Sequence, residues 1–134
     1  MPESSTIQRS RKQQEWINFL KTIDWDYFMT INAYWPMTKK QSQSIGRKLE
    51  KFICGGSQDN PAVFWISEHP FGGRRRHMHA LLKTNKSFEA LRHFCGNIGR
   101  SDIQRFDGEQ GGIGYVTKWI DKEEQVEYGL AVGR

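Results

Sequence analysis

Apolar positions recur along this chain with two periods, and the switches between them mark out the elements. From about Arg11 to Lys21, Trp16, Phe19 and Leu20 fall at helical spacing and predict a short amphipathic helix. "DYFMTINAY" (26–34) is dense in aromatic and β-branched residues and stops before Pro36, as a buried strand does. Thr38 then caps a helix reaching about Cys54, with Ile45, Leu49, Phe52 and Ile53 on one face and Gly55-Gly56 as its stop. "AVFWISEH" (62–69) predicts a second strand and "PFGGRRR" a turn. "HMHALLKT" (77–84) predicts a third strand, antiparallel to the second. Ser87 caps a further helix carrying Phe88, Leu91 and Phe94 and ending near Gly96 or Gly99. "DIQRFD" (102–107) reads as a short strand, "GGIGYVTKWIDKEE" (111–124) enters a helix through glycines, and "QVEYGLAV" adds a last strand.

From residue 26 to 107 the order is β-α-β-β-α-β, followed by an added C-terminal helix and preceded by a possible N-terminal one. This predicts an α+β fold of the ferredoxin-like split kind, an antiparallel sheet with helices on one face and the other face open to carry a site. Residues 1–10 are polar and expected to be flexible, leaving 11–134 as a single domain.

Candidate chemistry gathers where this pattern is most polar. Side chains alternate along a strand, so His77 and His79 project from one side while Met78 points into the core. Two imidazoles on one face can share a cation. Glu68 ends the neighbouring strand and returns beside His77 if that strand is regular, since a bulge would turn its carboxylate away. His69 is the rival third ligand. Two His and one carboxylate leave coordination positions open, as a catalytic site does. Further on, Tyr115 and Lys118 are three apart and share a helix face, bringing an ammonium beside a phenol. Gly111, Gly112 and Gly114 leave little bulk ahead of Tyr115, either for close approach of a substrate backbone or as a loop and poor helix start.

Charge adds a partner class. The chain has 134 residues, with 20 Lys and Arg against 15 Asp and Glu, which leans toward a polyanion. Arg74, Arg75 and Arg76 precede the histidines on the turn, as a phosphate clamp or a solvated tip. Tyr34, Trp35 and Trp65 can stack on bases, although Trp65 lies mid-strand and is expected in the core. His93 is read as surface. Cys54 and Cys95 stand far apart without a CxxC partner and are read as idle thiols. No signal-peptide core appears and no run approaches the ~20 apolar residues of a membrane span, so the expectation is an intracellular, soluble protein without a membrane partner.

These stretches together resemble the HUH endonucleases of the rolling-circle replication initiator (Rep) class. "YFMTIN" resembles their first motif, "HMHALL" their His-hydrophobe-His motif and "YVTK" their YxxK motif, in order, over about residues 25 to 120. The resemblance implies a metal-dependent, site-specific nickase and strand-joining enzyme that acts on single-stranded DNA at an origin hairpin or loop. It implies Tyr115 as the single nucleophile, forming a 5′-phosphotyrosine, and Lys118 as its positioning or charge-balancing partner. It further implies Glu68, His77 and His79 as ligands of Mg²⁺ or Mn²⁺. For such a DNA the expected contacts are Arg74, Arg75, Arg76, Gly112 and Gly114, while Asn32 either touches DNA or ends its strand. The setting implied is the cytoplasm of a prokaryote or the nucleus for a eukaryotic virus, as monomer or dimer. No GxxxxGK[ST] loop is present, so the expectation is either a minimal protein that recruits a host helicase and polymerase or the nuclease part of something longer. A transposase or relaxase of the same superfamily, an RNA-recognition-like binding module and a small metal-binding structural protein are the rival readings.

Overall fold

The computed structural model describes residues 10–56, 60–68, 77–108, 112–122 and 126–133. Helices start where the sequence supplies caps. The Ser10 hydroxyl accepts from Gln13 N–H at 3.0 Å to open α1 (Arg11–Leu20). Thr38 and Gln41 form a reciprocal capping box at the head of α2 (Lys39–Cys54). Ser87 caps α3 (Phe88–Cys95). A short α4 (Gly112–Thr117) completes the helices among the described residues.

The strands are β1 (Tyr27–Ala33), β2 (Ala62–Glu68), β3 (His77–Lys83), β4 (Gly99–Arg105) and β5 (Val126–Val132). They pair antiparallel in one sheet of order β4-β1-β3-β2-β5. The fold is therefore α+β, and β1-α2-β2-β3-α3-β4 follow one another in the expected β-α-β-β-α-β order. The strand expected at 102–107 begins at Gly99, and the helix expected over 111–124 contracts to six residues followed by turns. No helix among the described residues is long and apolar enough to cross a membrane. The polar N-terminal stretch 1–9 lies outside the described residues.

One expectation fails in a way that matters for the site. Helices cover both faces of the sheet, not one. Odd-numbered β1 residues Tyr27, Met29, Ile31 and Ala33 join Trp65, Met78, Ala80 and Leu82 in a core under α2 and α3. Phe64, Ile66 and Leu81 point the other way, into a second core with Leu20 of α1 and Val116 and Ile120 around α4. Six consecutive residues of β2 are consequently buried, as in a strand covered on both sides. The face stays open toward the end of β2, where Glu68 sits half-buried, and across Asn32 of β1 and Arg100 and Asp102 of β4, which are exposed.

Helix details shift for the same reason. In α1 the buried residues are Gln13, Ile17 and Leu20, while Phe19 is exposed. In α3 they are Leu91 and Cys95. Phe88 is exposed, and Phe94 stacks on Phe52 at 5.0 Å. In the same core as α3, Trp65 is buried as expected, its indole N–H donating to Glu50 Oε2 at 2.7 Å. A Cβ on Gly46 would overlap that ring, so a helix-weakening glycine is what lets α2 lie flat on Trp65. Cys54 and Cys95 are free thiols, and burial pushes Cys95 up to about 11 against a weaker downward pull from Ser101.

Candidate functional site

Register decides which polar residues meet. Directly opposed residues in an antiparallel pair point to the same face. Glu68 lies opposite His77, His77 opposite Asn32, and Asn32 opposite Arg100, so four polar side chains form one row across β2, β3, β1 and β4. The next row runs Ile66, His79, Thr30, Asp102. Pairing from Ala62 to Glu68 proceeds without a bulge, which is the condition that keeps the Glu68 carboxylate on the histidine face.

The imidazole of His79 is held from two sides. Its Nδ1 lies 3.0 Å from the Thr30 hydroxyl, and its Nε2 lies 3.6 Å from Glu68 Oε1. At 3.6 Å the second contact is electrostatic, not a hydrogen bond. The ring is only 4 % exposed, so these partners fix its orientation. Glu68 Oε2 is buried and has no hydrogen-bond partner among the described residues. A buried carboxylate oxygen without a partner is costly in water-excluded surroundings. An imidazole nitrogen and a carboxylate facing one point on a half-open face are the donor types a divalent cation takes. His77 is half-buried and across from Glu68 on the same side. Among the described residues, however, no three His, Cys, Asp or Glu side chains already stand close enough together to hold a metal ion.

Tyr115 arrives from the other end of the chain. Its ring centroid is 5.2 Å from that of His79 in an edge-on arrangement and 6.3 Å from Phe28. At 46 % exposed, its phenol is open to a ligand. The short α4 is positioned by α1: the Gln13 side-chain amide donates to Gly114 O at 3.2 Å and Thr117 Oγ1 at 3.3 Å. Val116 and Ile120 anchor the opposite side of this segment in the second core. Gly112 is buried, and a Cβ there would press on Phe28 and Phe106 at 3.3–3.4 Å. Its missing side chain thus serves the seating of α4 on β1, in place of the open approach for a substrate backbone considered from the sequence. Gly114 is half-buried and offers its carbonyl to Gln13.

Lys118 shares the Tyr115 face as the spacing predicts, with Nζ 4.2 Å from the ring centroid. The ammonium sits over the ring, a cation–π contact. Between Tyr115, Phe28, Phe106 and Gly112 lies a cleft of about 160 Å³, bounded by Gln104 and Arg105 of β4.

The structure thus brings together Glu68, His79, Tyr115 and Lys118, with His77 and Asn32 in the adjoining row. Arg74, Arg75, Arg76, His69 and Gly111 lie outside the described residues. Sequence reasoning missed Thr30, Gln13 and Arg100. Thr30 and Asn32 alternate on one strand, so Thr30 was reachable once the face of Asn32 was chosen. Gln13 and Arg100 depend on which elements become neighbours, and nothing local marks them.

No family model matches the chain, no curated protein matches it, and no solved structure does.

Proposed function

We propose that this chain is a tyrosine-nucleophile endonuclease and strand-joining enzyme of the HUH type, cutting single-stranded DNA at an origin of rolling-circle replication. The observation that carries the reading is the meeting of Tyr115 from α4 with His79 and Glu68 from adjacent strands, 5.2 Å between the Tyr115 and His79 rings. The element order with β4-β1-β3-β2 as neighbours is read as a ferredoxin-like split frame, to which α1, α4 and β5 are additions.

In this reading Tyr115 Oη attacks the scissile phosphorus in line, on the side opposite the departing 3′ oxygen. The new bond is Tyr Oη–P, the broken bond is P–O3′, and the phenol proton passes to solvent while O3′ leaves and is protonated. The phosphodiester energy is retained in the 5′-phosphotyrosine, so a 3′-hydroxyl can reverse the step and join strands. Glu68, His77 and His79 would hold a Mg²⁺ or Mn²⁺ ion, which when bound polarises the scissile phosphate. Thr30 keeps the His79 ring in place through Nδ1 and leaves Nε2 directed at the site. Lys118 places its charge against the Tyr115 ring, where it offsets negative charge gathering on the attacking group. Arg100, in one row with Asn32 and His77, is placed to contact a backbone phosphate. The 160 Å³ cleft beside Tyr115 offers room for one base flanking the cut.

One rival reading loses support on a specific observation. An RNA-recognition-like module stacks bases on an open sheet face, but here α1 and α4 cover Phe64, Ile66 and Leu81.

The test is incubation with random-sequence single-stranded DNA and Mn²⁺, followed by denaturing electrophoresis and peptide mapping. The expected result is a covalent adduct on Tyr115 that is absent with Tyr115→Phe and with chelator. Cleavage retained by Tyr115→Phe removes it as the nucleophile.

A further inference from the structure

The opposite side of the molecule carries a feature that this chemistry does not use. The exposed face of α2 presents Lys40, Arg47, Lys48 and Lys51 at helical spacing, and Lys40, Ser44, Arg47, Lys48 and Lys51 line one shallow groove. None of the four cations takes part in an ion pair among the described residues. Two acids around α2 are hydrogen-bonded to neutral side chains. Glu50 accepts from the Trp65 indole at 2.7 Å, and Glu127 of β5 accepts from Gln43 at 2.7 Å. No acid occupies the first turn of α2, where one would favour the helix, and Arg47 and Lys51 repel across one turn. A face arranged for stability alone would intersperse glutamates. This one concentrates positive charge, with only Lys51 placed in the last turn where a cation favours the helix, as a surface for a polyanion does.

A second observation narrows the polyanion. A groove of about 400 Å³ adjoins the stripe and shares Ser44 and Lys48 with it, and its other walls include Trp35, Phe94 and Ile98. Trp35 is half-buried and its indole N–H donates to Gln41 Oε1 at 3.3 Å, which holds the ring in place at the groove. A duplex keeps its bases inside and would use only the cations. A single strand offers bases to an aromatic wall and phosphates to the cations beside it.

We propose that the α2 face is a second single-stranded DNA-binding surface, with Lys40, Arg47, Lys48 and Lys51 on phosphates and a base against Trp35. Only the choice of DNA rests on the nuclease reading. The path is short. Trp35 follows Asn32 by three residues, so the groove lies at the same end of the sheet as the Glu68–His77–Asn32–Arg100 row, on its other face. Tyr34, 53 % exposed, lies between Asn32 and Trp35 in the chain. A strand leaving the Tyr115 site over this end of the sheet passes Tyr34 and runs onto α2.

The experiment measures fluorescence anisotropy of a labelled mixed-sequence 20-nucleotide strand on full-length Tyr115→Phe protein, in EDTA, across a salt series. The Tyr115→Phe background and the chelator remove cleavage, so this result is independent of whether the nuclease reading stands, which the adduct assay decides alone. Replacing Lys40, Arg47, Lys48 and Lys51 together by Gln is expected to flatten the salt slope by roughly 0.7 for each phosphate that is no longer neutralised. Trp35→Ala is expected to weaken binding between about fivefold and about a hundredfold. Circular dichroism checks that each variant folds. If one does not, protection of Lys40, Lys48 and Lys51 from acetylation by the bound strand replaces it, and unprotected lysines overturn the proposal. Unchanged affinity and slope in the folded quadruple variant overturn it as well. Equal binding of duplex with indifference to Trp35→Ala overturns the single-strand assignment, and tighter binding of the RNA strand through the same residues overturns the choice of DNA.

Discussion

Replacing Thr30 by valine keeps the shape of the side chain and deletes the one hydroxyl that meets His79 Nδ1, 3.0 Å away. The ring is 4 % exposed, so water cannot take over freely and the nitrogen is left without a partner. Leaving one buried polar atom unsatisfied costs about 1–3 kcal/mol. For a chain of this size each kcal/mol lowers Tm by about 4 °C. Urea melts of Thr30→Val in EDTA should therefore show a lower midpoint with an unchanged m value. Because the loss runs through the imidazole, Thr30→Val should cost much less in a His79→Phe background, giving a coupling energy near 1 kcal/mol or above. The same change should weaken Mn²⁺ binding by about 10- to 100-fold, since an unheld imidazole is a poorer ligand. Thermal shift against Mn²⁺ concentration measures this. A coupling within about 0.3 kcal/mol of zero, together with an unchanged Mn²⁺ midpoint, would refute the role assigned to Thr30.

Other expected outcomes follow from separate parts of the molecule. Glu68→Gln should abolish the Mn²⁺-dependent rise in Tm, a gain that reaches about 2.7 kcal/mol for the parent protein at a hundredfold excess over Kd. A persistent rise would place the cation elsewhere. Gly46→Ala should destabilise the fold by about 1–3 kcal/mol despite better helix propensity, because its Cβ overlaps the Trp65 ring. A neutral or stabilising result in chemical denaturation would mean that α2 lifts off at no cost. Burial raises the Cys95 thiol from 9.0 to about 11, so its share of stability is complete below pH 9.0 and is lost as pH climbs toward 11. That loss is on the order of 2–3 kcal/mol, and Cys95→Ala should flatten the pH dependence of the urea midpoint across this window.

The order of elements was readable because each carries a local signal. Ser10, Thr38 and Ser87 cap helices with their own hydroxyls, and the odd–even alternation of β1 is visible residue by residue. His77 and His79 on one face with Met78 opposite also follows from the geometry of a single strand. Glu68 required more, because its side depends on the regularity of β2 through to its last residue, and register is a property of two strands. The covering of both sheet faces was legible in principle. "AVFWIS" is apolar without alternation, which is what burial from both sides writes into a strand, yet helices on one face were expected.

Local backbone preference and side-chain composition are enough to set the α+β class, the caps, the unpaired cysteines and the residue types available for chemistry. Which of those residues meet is a matter of packing. Gln13 holding α4 across 101 positions of chain, Thr30 against His79, Lys118 above the Tyr115 ring, and Trp35 opening beside the α2 cations are all long-range or rotameric outcomes. They are set by how two cores on opposite faces of one sheet fill their space, and no window along the chain contains that information.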